Sequence, residues 1–190
     1  MGIPHIAVGD LLRAEMEKKT ELGCAASAFM EKGELVPDSI ALQMLLDRLN
    51  RADCKEGAIL DGTSRKRSQA EFLLSHLPEG KTLAIYFDMA SESLVTRILG
   101  RKTCLDCGAS YHFESHPETT QGECNRCRGA LVKRKDDTAE VLAQRVKVFQ
   151  TNIGPVLDFY SERQLLHRID ANQPISQVFE EIESALNSRR

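Results

Sequence analysis

Residues 58–88 read AILDGTSRKRSQAEFLLSHLPEGKTLAIYFD. Ala58–Leu60 and Leu83–Phe87 are short apolar runs. Between them, apolar side chains recur at helical spacing from Arg67 to His76. Strand, helix and strand in succession make the βαβ unit of a parallel sheet. The loop Asp61-Gly62-Thr63-Ser64-Arg65 then lies at the carboxyl end of a strand, where open α/β sheets bind their ligands.

The same alternation continues in both directions. Ile3–Ala7 and Leu165–Ile169 also read as strands. Asp10–Lys19, Leu22–Glu31, Asp38–Asn50, Ser91–Leu99, Thr138–Arg163 and Pro174–Asn187 carry helical periods. The fold class is therefore α/β, a parallel sheet flanked by helices. Residues 1–6, 37–100 and 138–190 form its core. Residues 7–36 make a helical hairpin without a strand of its own, and residues 101–137 interrupt the alternation as an insertion.

The insertion holds Cys104, Cys107, Cys124 and Cys127. Two CxxC knuckles can aim four sulfurs at one point, the tetrahedral thiolate cage that Zn²⁺ prefers. Four thiolates leave no position open for a catalytic water, so the expected metal is structural. Disulfides or unrelated thiols are the alternatives. Cys24 and Cys54 read as small buried residues.

Composition excludes several classes. A 42% hydrophobic and 28% charged chain of 190 residues is globular, and its net charge of −3 does not suit a nucleic-acid binder. No apolar run approaches the roughly 18 residues needed to cross a membrane. Met1-Gly2-Ile3-Pro4 carries neither a signal nor a transit pattern. The expected compartment is the cytoplasm, reducing enough to keep zinc-binding thiolates.

The remaining candidates are rim residues. Asp10 suits a helix N-cap, and Arg13 follows it. Asp61 either ends a strand or supplies the acid of a metal–nucleotide site. Arg65 sits in a tight glycine loop. Arg97 and Arg101 stand at the entrance of the insertion, Arg134 and Arg145 at its exit. Lys133-Arg134-Lys135-Asp136-Asp137, taken alone, reads as a solvated hinge. Arg13, Arg65, Arg101, Arg134 and Arg145 taken together line a crevice suited to a polyphosphate.

These segments resemble the adenylate kinases, in their long form with a zinc-bearing lid. The matching stretches are Gly9-Asp10-Leu11-Leu12-Arg13, Gly33-Glu34-Leu35-Val36-Pro37-Asp38, Ile59-Leu60-Asp61-Gly62 with Arg65 and Gln69, Arg97-Ile98-Leu99-Gly100-Arg101, the four cysteines with Tyr111-His112, Arg134-Lys135-Asp136-Asp137, and Arg145. The resemblance runs along essentially the whole chain. It implies a P-loop-kinase-like fold and transfer of a phosphoryl group from ATP to AMP, giving two ADP, with Mg²⁺ on the nucleotide. Residues 7–36 would be the AMP-binding module and residues 101–137 the lid over ATP. Arg13, Leu35, Val36, Gly62, Arg65 and Gln69 would hold AMP. Arg97, Arg101, Ser110, Tyr111 and Gln173 would face ATP, while Arg101, Arg134, Arg145 and Asp61 would serve the transfer. The implied partners are nucleotides, not nucleic acid or membrane.

Departures from the family pattern also carry expectations. The resemblance places a first, central strand and a glycine-rich phosphate loop ahead of residue 1, and no G-x-x-x-x-G-K-[ST] occurs in these 190 residues. Val8 stands where the family has a threonine, Thr63-Ser64 where it has Phe-Pro, and Gln173 where some relatives carry a lysine. The expectation is a truncated or impaired kinase, monomeric once the absent segment is present. The alternative is an inactive zinc-bearing pseudokinase that binds a nucleotide or a protein partner.

Overall fold

A computed structural model describes residues 2–78, 80–112 and 122–188. In chain order these residues form β1 (His5–Ala7), α1 (Val8–Glu17), α2 (Glu21–Met30), α3 (Asp38–Leu49), β2 (Ile59–Asp61), α4 (Arg67–His76), β3 (Ala84–Asp88) and α5 (Ser91–Leu99). Then come β4 (Arg101–Cys104), β5 (Ser110–His112), β6 (Leu131–Val132), α6 (Ala139–Glu162), β7 (Leu166–Asp170) and α7 (Ile175–Asn187). The expected strands and helices of the core are all present, with ends shifted by one or two residues. The lid strands and a 3₁₀ turn at Ala52–Cys54 carry too few residues for a period to show.

The first helix begins at Val8, two residues earlier than expected. Asp10 is therefore inside the first turn rather than at the cap, where its charge still complements the helix N-terminus. Val8 and Leu12 turn into a core with Ile6, Met30, Val36, Leu45 and Leu73. The hairpin of α1 and α2 closes tightly at Gly23, where a Cβ would lie 2.2 Å from the Glu15 carbonyl oxygen. Only glycine permits that approach. Thr20 caps α2 by accepting the Gly23 N–H at 3.1 Å, and Thr138 caps α6 by accepting that of Val141 at 3.3 Å.

The parallel sheet is divided. β1 pairs with β2, from His5↔Ile59 to Ala7↔Asp61, and β3 pairs with β7, from Ala84↔Leu166 to Asp88↔Asp170. Among the described residues no ladder joins these two half-sheets. Helix α4, which connects β2 to β3, spans the seam between them. Its Leu73 packs into the cluster containing Ile6 and Leu60, while Ala70 and Leu74 pack with Ala84, Leu166 and Phe159 of the other half. The inner strands are unusually open for a sheet of this class: Ile59 is 48% exposed and Phe87 49%. This agrees with the expected absence of a central strand from these residues.

The insertion is a third, antiparallel sheet in the order β5-β4-β6. Residues 113–121 of the lid lie outside the described part. Cys104, Tyr111, Cys124 and Leu131 form its small core.

Candidate active site and metal centre

Three elements of different origin bring their arginines to one place. Arg13 projects from α1, Arg65 from the loop after β2, and Arg145 from α6. Gly62 makes the loop possible. Its φ of +65° is a conformation glycine adopts without strain, and it lets the Arg65 Nε–H donate to the Gly62 carbonyl at 3.2 Å. The Arg65 backbone N–H donates to Gln69 Oε1 at 2.8 Å, and Gln69 Nε2 donates to Asp38 Oδ1 at 2.8 Å. Gln69 is thus buried as a brace for the loop that carries Arg65.

Burial lowers the pKa of the Arg65 guanidinium, and the neighbouring charges of Arg145 and Arg13 lower it further, against the pull of Asp61. A guanidinium stays protonated under such pressure, so Arg65 keeps its charge among like charges. Asp61, at the end of β2, is exposed, with His5 Nε2 3.3 Å from its Oδ2.

The lid hinges complete the cluster. Arg101, on β4, grips Asp137 by three hydrogen bonds: Nε to Oδ2 at 3.1 Å, Nη2 to Oδ1 at 2.8 Å and Nη2 to Oδ2 at 2.9 Å. Asp137 is fully buried and also accepts from Arg145 Nη1 at 3.4 Å. Arg145 pairs with Asp136 as well. Burial opposes the charge on Asp136, but the Arg145 hydrogen bond together with the charges of Arg145 and Arg13 outweighs it and holds this carboxyl below its usual range. Arg134 donates from Nε to Thr103 Oγ1 at 3.0 Å and approaches Asp10 at 3.6 Å. Arg13 pairs with Asp10 and lies 3.9 Å from Asp136. Four arginines thus share Asp10, Asp136 and Asp137, and Arg65 adds a fifth positive charge beside Arg13 and Arg145.

In the stretch 133–137, Lys133 and Lys135 are exposed as a solvated hinge would have them, but Asp137 is buried and both aspartates are paired. The two aspartates are the acceptors that aim Arg101 and Arg145. Their position two and three residues after Arg134 was the available signal, and composition alone pointed the other way. Among the other candidates, Leu35 is half-buried and Val36 is buried in the core beside Val8. Arg97 and Gln173 come together along a groove of about 310 Å³ with Phe87, Met89, Ile175 and Val178. Gln173 Nε2 donates to Glu181 Oε1 at 2.6 Å there. Ser110 is exposed on the lid. Tyr111, expected to face ATP, is buried with its hydroxyl 3.2 Å from Cys124 Sγ. A further contact that sequence did not indicate is Ser64 Oγ to Tyr160 Oη, 2.9 Å, which ties the altered Thr63-Ser64 loop to α6.

The four cysteine sulfurs all lie within 4.8 Å of one another. Cys104 and Cys127 are 3.4 Å apart at sulfur, and Cys107 and Cys124 are 3.5 Å apart. A tetrahedral zinc site with 2.3 Å bonds has sulfur–sulfur edges of about 3.8 Å, so the donor set fits the ion. The Tyr111 hydroxyl lowers the Cys124 pKa to about 6. At Cys127 the Gly129 N–H pulls the pKa down, but the thiols of Cys104 and Cys107 outweigh it and push it up to about 12.

Among the described residues no helix is long and apolar enough to cross a membrane. A parallel α/β core, a helical hairpin, a cysteine-bearing insertion and an arginine crevice between them define a phosphoryl-transfer architecture. The profile of the family described as "Adenylate kinase" matches residues 1–165. The adenylate kinase of Clostridium novyi (strain NT) is 41% identical over 183 residues, covering 95% of this chain and 85% of that protein. Those of Clostridium perfringens (strain SM101 / Type A) and Caldanaerobacter subterraneus subsp. tengcongensis are 39% and 40% identical, covering 98% and 97% of this chain and 88% and 85% of their own lengths. The chain belongs to the adenylate kinase family, whose members are nucleoside monophosphate kinases.

Proposed function

We propose that this chain serves phosphoryl transfer from ATP to AMP, giving two ADP, in a reducing compartment such as the cytoplasm. The observation that carries this reading is the convergence of Arg13, Arg65 and Arg145, with Arg65 held by Gln69 and free of any carboxylate ion pair among the described residues. A monophosphate seated there would meet guanidinium forks from three directions. Leu35, Val36 and Gly62 would offer backbone beside it. Arg97 and Gln173 would meet ATP from the groove at the carboxyl ends of β3 and β7, with Ser110 on the lid side. Tyr111 would act through the lid rather than on the nucleotide.

The transfer asks for alignment and charge neutralisation more than for covalent chemistry from the protein. Arg101 and Arg145, fixed by Asp137, would neutralise charge on the transferring group, and Arg134 would join them as the lid closes. Asp61 would orient the hydration shell of the nucleotide's Mg²⁺. Mg²⁺ itself supplies charge neutralisation on the β- and γ-phosphates. Zn²⁺ on Cys104, Cys107, Cys124 and Cys127 would hold the lid and take no part in the reaction.

The 190 residues contain no glycine-rich loop with its lysine, and Lys102, Lys133 and Lys135 belong to the lid or its hinges. The seam beside β2 and β3 favours a second reading for these residues alone, nucleotide binding with little transfer. A coupled ADP-formation assay separates the two. The 190-residue protein is run beside a chimera that supplies a strand, a G-x-x-x-x-G-K-[ST] loop and a helix ahead of residue 1. Transfer by the chimera that Arg145→Ala abolishes supports the first reading. Turnover by the short protein at the chimera's rate refutes the second. The monophosphate site is tested by calorimetry. Arg65→Ala should weaken AMP binding by roughly ten- to a hundredfold, the worth of one charged hydrogen bond of about 1.5–3 kcal/mol. Unchanged affinity would place the site elsewhere.

A further inference from the structure

We propose that Tyr111 is a positioning residue of the lid's metal centre, its hydroxyl donating a hydrogen bond to the Cys124 sulfur. The role rests on the metal reading above and adds a residue that no ligand pattern contains. Tyr111 lies on β5, opposite Lys102 of β4, and β4 ends at Cys104. Cys124 belongs to the other knuckle. The 3.2 Å contact therefore links the hairpin of the first knuckle to the second, independently of any ion.

The surroundings favour this geometry. Tyr111 is only 8% exposed and packs with Cys104, Leu131 and Ala109, so its ring has little freedom. The Arg126 N–H also points to Cys124 Sγ, at 3.4 Å. Two donors at one thiolate fix its lone pairs and draw electron density from it. Outer hydrogen bonds of this kind orient the ligand and tune its bond to the metal. They also make a doubly negative tetrathiolate centre easier to sustain in a module with so small a core.

The cobalt-substituted 190-residue chain provides the test, because thiolate-to-cobalt charge transfer reads the energy of the sulfur lone pairs directly. Tyr111→Phe keeps the ring and removes the donor. Leu131→Ala loosens the same packing and leaves the hydroxyl. Tyr111→Phe should move the charge-transfer band to lower energy and weaken retention of Co²⁺ against a chelator by about ten- to a hundredfold. Leu131→Ala should leave the band in place. An unmoved band in Tyr111→Phe, or an equal shift in Leu131→Ala, would overturn the role while leaving the metal centre intact. A wild-type chain that takes up neither cobalt nor zinc would overturn the metal reading, and this role with it.

Discussion

The lid and the core solve the same problem of sheet order in opposite ways. The lid is small, yet its three strands form one continuous sheet, and its core is closed around Cys104 and Cys124, which are 2% and 1% exposed. The core is several times larger, yet its parallel strands form two pairs bridged by helices, with Ile59 and Phe87 open to solvent. Size alone does not confer order. The lid is organised by a point of convergence, the four sulfurs, whereas the core depends on a continuity of strands that these residues do not provide.

Removing the zinc proposed for the four sulfurs should break that comparison most severely. Structural zinc contributes apparent binding energies of about 10–16 kcal/mol in small modules, and the small core of Tyr111, Leu131 and the cysteines is too little to replace it. A chelator should therefore open residues 101–137 to protease while α6 and the two half-sheets stay protected. Simultaneous cleavage throughout the chain would show that lid and core are not separate in stability.

Asp137→Ala should come next, because it strikes where the two regions join. It would strip Arg101 and Arg145 of a shared, fully buried acceptor. Each arginine side chain keeps about a quarter of its exposure and can turn toward water. The loss should thus be about 3 kcal/mol, the low end for a broken buried pair. Urea unfolding measures it, and a loss under 1 kcal/mol would mean the pair is only decorative.

The smallest effect concerns acid. Asp136 has its folded pKa depressed below the ordinary 3.8, so its pairing with Arg145 contributes stability that is present above that value and lost as pH falls through the folded one. Melting midpoints of wild type and Asp136→Asn should therefore converge as pH drops below about 4. A gap that persists to pH 2 would assign the difference to packing.

Much of this arrangement was legible in the sequence, and the remainder failed for identifiable reasons. Residues 58–88 read clearly as strand, helix and strand because apolar runs and a helical period stood side by side, although β2 and β3 fall in separate ladders. The place of Arg65 in a glycine turn at the end of β2 was legible, because both the strand and the turn show in the sequence. Asp137 was not, because its partner Arg101 lies 36 residues away and composition shows no such partner; Asp136 likewise takes its partners, Arg145 and Arg13, from other elements. The direction of the Tyr111 hydroxyl was not legible for a similar reason. An aromatic beside a knuckle can face outward or inward, and only the β4–β5 register turns its hydroxyl toward Cys124. The seam could be anticipated from the resemblance, but not its bridging by α4.

The seam also has a signature in isotope exchange. In a parallel strand, successive residues direct their amides to opposite sides. The Ile59 N–H donates to Pro4 O at 2.8 Å, toward β1, so Leu60 directs its own across the seam. The Ala84 N–H donates to Leu165 O at 2.9 Å, toward β7, which turns Ile85 and Phe87 the other way. Deuterium uptake along β2 and β3 should therefore alternate residue by residue, slow at Ile59, Ala84 and Tyr86, fast at Leu60, Ile85 and Phe87. Any segment that came to lie in the seam would erase the alternation at those three fast positions and leave the slow ones as they were.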